Sequence, residues 1–124
     1  MKKALLTAFV VMLSFFGTAQ ELLETYALDV GVWSDYLQDW IWEPRKKCKI
    51  NFLFQGDIII ANDAAESTYY TYETLILTDD EASWSAIDEG KRNCIVSMKY
   101  NGQINNYFIV MYSDVCYRYI WSNY

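Results

Sequence analysis

Apolar and polar residues alternate along most of the chain after residue 20, and this period of two predicts β-strands. The first predicted strand covers residues 23–33, and residues 34–44 follow as a long connection. For residues 79–87, a helix capped by Asp79 is the alternative to the favoured strand. The predicted strands cover residues 23–33, 48–54, 57–62, 68–77, 83–88, 93–100, 106–112 and 115–121.

Gln55-Gly56 predicts a two-residue hairpin turn, because glycine adopts a positive φ at little cost. The apolar faces of the two flanking strands coincide in this hairpin, which supports the turn. The expected partners are Phe52 opposite Ile59 and Ile50 opposite Ala61.

Asn101-Gly102 is the strongest turn signal in the chain, since a type I′ turn needs a positive φ at both central residues. The expected partners are Met98 opposite Asn105, Val96 opposite Tyr107 and Cys94 opposite Ile109.

Short loops join antiparallel neighbours, so the pattern predicts an all-β fold. We expect an antiparallel meander of about seven or eight strands, which forms a curled sheet or a small barrel. Aromatic residues make up 18% of the chain, against one proline and five glycines, and this composition suits a pleated sheet.

The first nineteen residues have the layout of a secretory signal peptide. Lys2 and Lys3 precede an apolar run over residues 4–16, and Gly17 and Ala19 are the small residues that signal peptidase reads. The alternative, a membrane anchor, needs ~20 apolar residues, more than this run supplies. We therefore expect cleavage before residue 20, export to the periplasm or medium, no membrane anchor, and one mature domain over residues 20–124.

The mature chain is acidic. Lys2 and Lys3 leave with the signal, so 8 of the 10 basic residues remain against 16 acidic ones, a formal charge of −8. This balance disfavours nucleic acid, whose affinity comes from neutralised phosphates, and it disfavours anionic membrane surfaces. It favours a basic protein partner.

The chain contains no histidine. Ser-His-Asp and Cys-His catalysis are therefore excluded, together with the usual zinc sites. We expect a protein that is not an enzyme and uses no cofactor.

The three cysteines leave two interpretations open. Cys48 and Cys94 both fall on the apolar faces of their predicted strands, so they are the natural pair for a single disulfide, which leaves Cys116 unpaired. The alternative is three buried thiols that behave as small hydrophobic residues.

Aromatic residues supply the candidate binding site. Trp40 and Trp42 share one face if residues 39–43 are extended, and Tyr72 belongs to a second aromatic run. Indole rings flanked by carboxylates stack on sugar rings. In the alternative, the same rings cover an open end of the core.

One basic cluster stands in this acidic chain. Arg45, Lys46 and Lys47 are consecutive, and Lys49 follows. The cluster either holds an anion or forms a solvated edge that discourages strand addition.

Gly31-Val32-Trp33 resembles the Gly-x-Trp motif on the first strand of lipocalin-like proteins. Later segments are similar to small secreted β proteins of Bacteroidota. This resemblance implies a barrel-like meander that binds a small apolar ligand, and it implies no enzymatic activity. The segments concerned are Trp84-Ser85-Ala86-Ile87-Asp88, Tyr112-Ser113-Asp114 and Tyr117-Arg118-Tyr119.

The sequence as a whole predicts an exported, non-enzymatic β protein. We expect this protein to bind a small apolar or glycan ligand through its aromatic residues or a barrel mouth. The first alternative is a protein-interaction module, such as an inhibitor of a basic partner. The second is a small carboxylate-dependent hydrolase, for which no pair among the 16 acidic residues stands out.

Overall fold

The computed structural model describes residues 20–62, 67–101 and 106–122, which form one antiparallel sheet of eleven strands. No helix occurs in these ranges, so the predicted all-β architecture is confirmed with more strands than expected. The predicted signal peptide, residues 1–19, lies outside the described residues. The strands are β1 (Gln20–Glu24), β2 (Ala27–Ser34), β3 (Asp39–Trp42), β4 (Lys46–Lys47), β5 (Asn51–Gln55), β6 (Ile58–Asn62), β7 (Ser67–Leu77), β8 (Glu81–Asp88), β9 (Asn93–Lys99), β10 (Asn106–Met111) and β11 (Val115–Trp121).

The sheet is a meander from β5 to β11, in the order β1-β5-β6-β7-β8-β9-β10-β11-β2-β3, and β4 also pairs with β2. Strands β1 and β2 are far apart in this order, although only Thr25 and Tyr26 separate them along the chain. The Thr25 N–H donates to the Ile50 carbonyl (3.1 Å), and the Tyr26 N–H donates to the Ile120 carbonyl (2.9 Å). The sheet must therefore curl, and it does so without closing.

Two predicted segments need correction. Residues 23–33 do not form one strand, because the chain changes its partner from β5 to β11 at Thr25 and Tyr26. Residues 34–44 are not an irregular connection, because they contain β3, which pairs with β2. Alternation along the sequence is the same on both sides of a change of partner, so the pattern alone does not reveal it.

The inner face of the curl holds the hydrophobic core. Phe52 and Phe108 are fully buried, with ring centroids 4.3 Å apart, and Tyr119 packs edge-on against Phe52 at 4.8 Å. Val96 and Val110 lie opposite each other on β9 and β10, also without exposed surface. The interior is therefore filled by side chains from neighbouring strands. Further buried members are Leu23, Phe54, Ile59, Ala61, Tyr69, Ala82, Ala86, Cys94, Met98, Tyr100, Tyr112 and Trp121.

The hairpin between β5 and β6 turns one residue later than predicted. The turn is at Gly56 and Asp57, and Gly56 has a φ of 60°. Phe54 therefore lies opposite Ile59, and Phe52 does not. The pairing moves by two residues, which keeps every side chain on its predicted face.

The predicted two-residue hairpin at Asn101-Gly102 is wrong in its pairing. Met98 lies opposite Phe108, where Asn105 was expected. β9 ends at Lys99, before the turn signal, and the Tyr100 N–H donates to the Asp80 carbonyl in continuation of the β8–β9 pairing. This shift of three residues is odd, so the predicted inner residues lie on the outer face of β10. Residues 102–105 lie outside the described part of the chain. The misplaced pairs are Val96–Tyr107, where the partner is Val110, and Cys94–Ile109, where Ile109 faces Ser97.

Residues 81–88 are a strand, as the favoured interpretation predicts, and the helical alternative is wrong. The longest strand, β7, runs past the end of β6 and has two irregularities in its pairing with β8. Tyr72 lies at the first of these irregularities, between Thr71 and Glu73.

Replacing Phe108 by alanine is expected to lower the free energy of unfolding by about 3–5 kcal/mol, because the ring is unexposed and contacts two other phenylalanines. Urea unfolding of the purified mature chain measures this loss. Tyr72→Ala is the control. Its side chain is 64% exposed, so we expect a change within about 0.5 kcal/mol. Equal losses in the two variants would contradict the described core.

Candidate functional site

Three tryptophans lie together on the outer face of the β2–β3 hairpin. Trp40 is opposite Trp33, and Trp42 is opposite Gly31, so alternate positions on both strands share this face. Trp33 and Trp40 pack edge to face with centroids 5.3 Å apart, and Trp40 and Trp42 are 6.5 Å apart. We call these rings, together with Tyr107 of β10, the aromatic strip.

Gly31 sets the position of Trp42. A Cβ atom on Gly31 would lie 3.0 Å from two carbons of the Trp42 ring, which is closer than ordinary contact. The missing side chain therefore lets the indole lie against β2, a common use of glycine within a strand. The Gly31-Val32-Trp33 segment thus has a packing role in this hairpin.

A well-defined turn holds the hairpin. The Gln38 N–H donates to the Ser34 carbonyl (2.8 Å), and Gln38 adopts a left-handed φ of 53°. The Trp33 indole N–H donates to Asp35 (3.1 Å), which ties the aromatic strip to the turn. The turn presents Tyr36, which is 94% exposed, together with Leu37.

An ionic cluster of Asp29, Arg45 and Arg118 lies beside the strip. Arg45 donates to both carboxylate oxygens of Asp29 at 2.9 Å, and Arg118 donates through Nε and Nη2 at 3.0 and 2.9 Å. Asp29 is only 4% exposed. The hydrogen bonds from Arg45, joined by those from Arg118, hold the pKa of Asp29 below its ordinary value against the opposing effect of burial.

Arg118 connects the ionic cluster to the strip. Its guanidinium carbon lies 4.1 Å from the Trp42 ring centre and 5.0 Å from that of Tyr107. The positive charge is therefore placed against two electron-rich faces while it remains bonded to Asp29. The pKa of Arg45 is raised, chiefly by its hydrogen bond to Asp29 and to a lesser degree by Tyr107.

An open groove of about 870 Å³ continues from the ionic cluster along the start of β2 and along β4. Arg45 belongs to both features, and Lys46 pairs with Glu43 at 3.4 Å. We call this feature the basic groove. Its lining residues are Glu24, Thr25, Tyr26, Ala27, Arg45, Lys46, Lys47, Cys48, Lys49 and Ser122.

Of the predicted site residues, the structure brings Trp40 and Trp42 together and leaves Tyr72 apart. Tyr72 is on β7, and five strands separate β7 from β3 in the sheet order. The sequence reasoning missed Asp29 and Arg118, which face each other across β2 and β11. Their only local signal is a single charge within an otherwise apolar strand.

A second polar cluster connects the β8–β9 and β10–β11 loops, at the end of the strands opposite the basic groove. The Tyr112 hydroxyl donates to Asp88 at 2.7 Å, and Arg92 lies 4.4 Å above the Tyr112 ring centre while pairing with Asp114 at 2.8 Å. Desolvation raises the pKa of Asp88, but hydrogen bonds from Tyr112 and from backbone N–H groups outweigh it, so the net shift is downward. Burial, followed by the bond to Asp88, raises the pKa of Tyr112.

The three cysteines are unbridged in the structure, and the Cys48–Cys94 disulfide stays a prediction. The Cys48 N–H donates to the Tyr26 carbonyl, where the chain changes its partner strand. Cys94 lies at the start of β9. Cys48 is half-buried, and Cys94 and Cys116 are buried. Desolvation raises the pKa of each buried thiol to about 11, which makes both unreactive near neutral pH.

Within the described ranges, no three acidic or cysteine side chains converge on a position that would hold a metal ion. Over the same part of the chain, no helix has the length and hydropathy needed to span a membrane. No family model, curated protein or solved structure matches this chain. The lipocalin-like resemblance therefore stays a prediction.

Replacing Asp29 by asparagine is expected to lower the free energy of unfolding by about 2–4 kcal/mol at neutral pH, because two guanidiniums lose their shared anion. The pKa of Asp29 is depressed in the folded state, so its contribution is complete above about pH 4 and is lost as the pH falls through the folded value. Urea unfolding from neutral pH down to about pH 2 should show the wild-type and variant curves converging.

The control for this series is Asp114→Asn, because the Asp114 pair with Arg92 is exposed and should contribute little. A constant difference between wild type and Asp29→Asn at all pH values would contradict the ionic role of Asp29.

Cys48 is expected to react first when the native protein is treated with iodoacetamide at mildly alkaline pH, since Cys94 and Cys116 are buried. Peptide mass mapping gives the order of labelling, and the same reaction in urea should label all three. Labelling of Cys116 alone in urea would instead establish the Cys48–Cys94 disulfide.

Proposed function

We propose that this chain is an exported, non-enzymatic binding protein that holds a carbohydrate against the aromatic strip. The observation that carries the proposal is the set of neighbouring indoles on one outer face, with Trp40 partly exposed and Trp42 38% exposed. Export rests on the sequence of residues 1–19.

The interior is poorly suited to a ligand. Phe52, Phe108 and Val110 of the inner face have no exposed surface, and their neighbours on adjacent strands are also buried. A small apolar ligand in a barrel mouth would need space that these side chains fill. Binding on the outer face is therefore the better-supported part of the predicted function.

The strip offers the contacts that a sugar requires. The C–H faces of sugar rings are apolar and pack on aromatic rings, whereas their hydroxyls need hydrogen-bond partners. A guanidinium carries five N–H donors, and the bonds from Arg118 to Asp29 use two of them. The Trp42 ring is held by Gly31 and Arg118, so binding costs little ordering of this side chain.

Titration with a panel of defined oligosaccharides tests this function, with calorimetry or tryptophan fluorescence as the readout. Trp40→Ala and Trp42→Ala should each weaken binding at least about tenfold, or about 1.4 kcal/mol. The unfolding midpoint should change little, because a cross-strand contact on the outer face contributes about 0.2–1 kcal/mol.

Tyr72→Ala, an exposed aromatic on another strand, is the matched control and should bind normally. If Trp40→Ala and Trp42→Ala unfold the protein, the indoles are core residues and the site hypothesis fails. Hydrolysis of any panel member, abolished by replacing one carboxylate, would overturn the non-enzymatic function.

A second candidate function, recognition of a protein partner, is favoured by the exposed tip and opposite face of the hairpin. Tyr36 stands almost fully in solvent, and Ile41 is 52% exposed on the face away from the strip. Contiguous exposed apolar groups are typical of interaction sites. A photoreactive residue in place of Tyr36 should then trap one discrete protein, and Leu37→Ser should abolish that product. A tip that traps nothing would exclude this candidate.

A further inference from the structure

We infer that the carbohydrate bound by this protein is acidic, with sugar rings stacked on the aromatic strip and carboxylate or sulfate groups held in the basic groove. This inference rests on the proposed function and extends it to the class of ligand. The groove contains the basic cluster for which the sequence allows two interpretations, an anion site or a solvated strand edge.

Positive charge is segregated on this protein. Eight basic residues follow the predicted cleavage site, and five of them belong to the groove or the ionic cluster. The acidic side chains among them are Glu24, Asp29 and Glu43, so the local formal charge is +2 on a mature chain of −8. The five basic residues are Arg45, Lys46, Lys47, Lys49 and Arg118.

Two of these basic side chains form no ion pair within the described residues and can bind an anionic ligand. Arg45 pairs with Asp29 and Lys46 with Glu43, but Lys47 and Lys49 have no acidic partner within 4 Å among the residues that the structure describes. Both line the groove and are exposed, so they are accessible to an anion. The Thr25 and Ser122 side chains lie along the same groove.

The groove and the strip form one continuous surface. Arg45 lines the groove and bonds to Asp29, and Asp29 in turn bonds to Arg118, which stacks on Trp42. An elongated ligand with apolar ring faces and regularly spaced anionic groups matches both parts. A small free anion would use the groove but leave the strip without a role.

The overall charge argues against the other common polyanions. A mature chain of −8 is repelled by a DNA duplex or an anionic bilayer, both of which present charge over an area much wider than the groove. A single oligosaccharide chain engages the local positive surface without approaching the acidic remainder of the protein. We therefore assign the groove to acidic sugars.

The experiment uses matched pairs of oligosaccharides, each an acidic member and its neutral form. Uronate oligomers are compared with their methyl esters, and sulfated oligomers with their desulfated forms, so ring stacking is the same within a pair. In at least one pair the acidic member should bind about tenfold more tightly at low salt, and this preference should shrink as added salt screens the charges.

Charge reversal localises the effect. Lys47→Glu and Lys49→Glu should each weaken the acidic member about three- to tenfold and leave the neutral member unchanged. Lys91→Glu makes the same charge change at the far end of the strands, near Asp88, and should alter neither. Bound acidic oligosaccharide should also slow the alkylation of Cys48, which lines the groove.

The outcomes separate the two proposals. If neutral members bind and no pair shows an acidic preference, the ligand class is wrong and the proposed carbohydrate function stands. If no member binds at all, both proposals fail. If acidic members, anionic vesicles and single-stranded DNA bind alike, and Trp42→Ala has no effect, the groove is a nonspecific anion site and the carbohydrate function is wrong.

Discussion

The carboxylate of Asp29 accepts hydrogen bonds from two guanidiniums that lie 16 and 89 residues away along the chain. A carboxylate this deeply buried loses hydration worth several kcal/mol, and only well-aligned charged partners offset the loss. Arg45 and Arg118 each donate twice and meet this requirement. Because Asp29 is on β2 and Arg118 on β11, one side chain links an early strand of the chain to its last strand, which is its neighbour in the sheet. The groove and the aromatic strip depend on the same contact.

Local alternation predicts the strands well and their pairing less well. In the first hairpin the pairing differs from the prediction by two residues. Because this is an even number, the buried faces of its strands were predicted correctly. The Asn101-Gly102 signal predicted the wrong register, because β9 and β10 pair three residues away from the register that a two-residue turn there would set. An odd shift of three residues then moved Phe108 to the inner face, where it joins the core. Turn chemistry is a local preference, and the pairing of the whole strands differs from it here.

The candidate binding surface was predictable only in part, for the same reason. Trp40 and Trp42 stand two residues apart, so their common face follows from extended backbone alone. Their relation to Arg118 depends on the pairing of β2 with β11, which bridges most of the chain. Tyr72 has the same composition signal as the tryptophans, yet it lies on a distant strand. Residue type indicates which side chains can bind a ring, whereas only the sheet order shows which of them act together.

Arg118 gives the surface a property that neither part has alone. Its guanidinium is fixed at one side by Asp29 and lies against the Trp42 and Tyr107 rings. In the proposed complex, a ligand ring on Trp42 would approach an indole that contacts a cation, and an anionic group in the groove would act on Arg45, the other partner of the same carboxylate. The proposed stacking and charge recognition would thus share Asp29. Ring binding and anion binding are expected to be coupled through it, because moving either guanidinium changes the balance of charge at one buried oxygen pair.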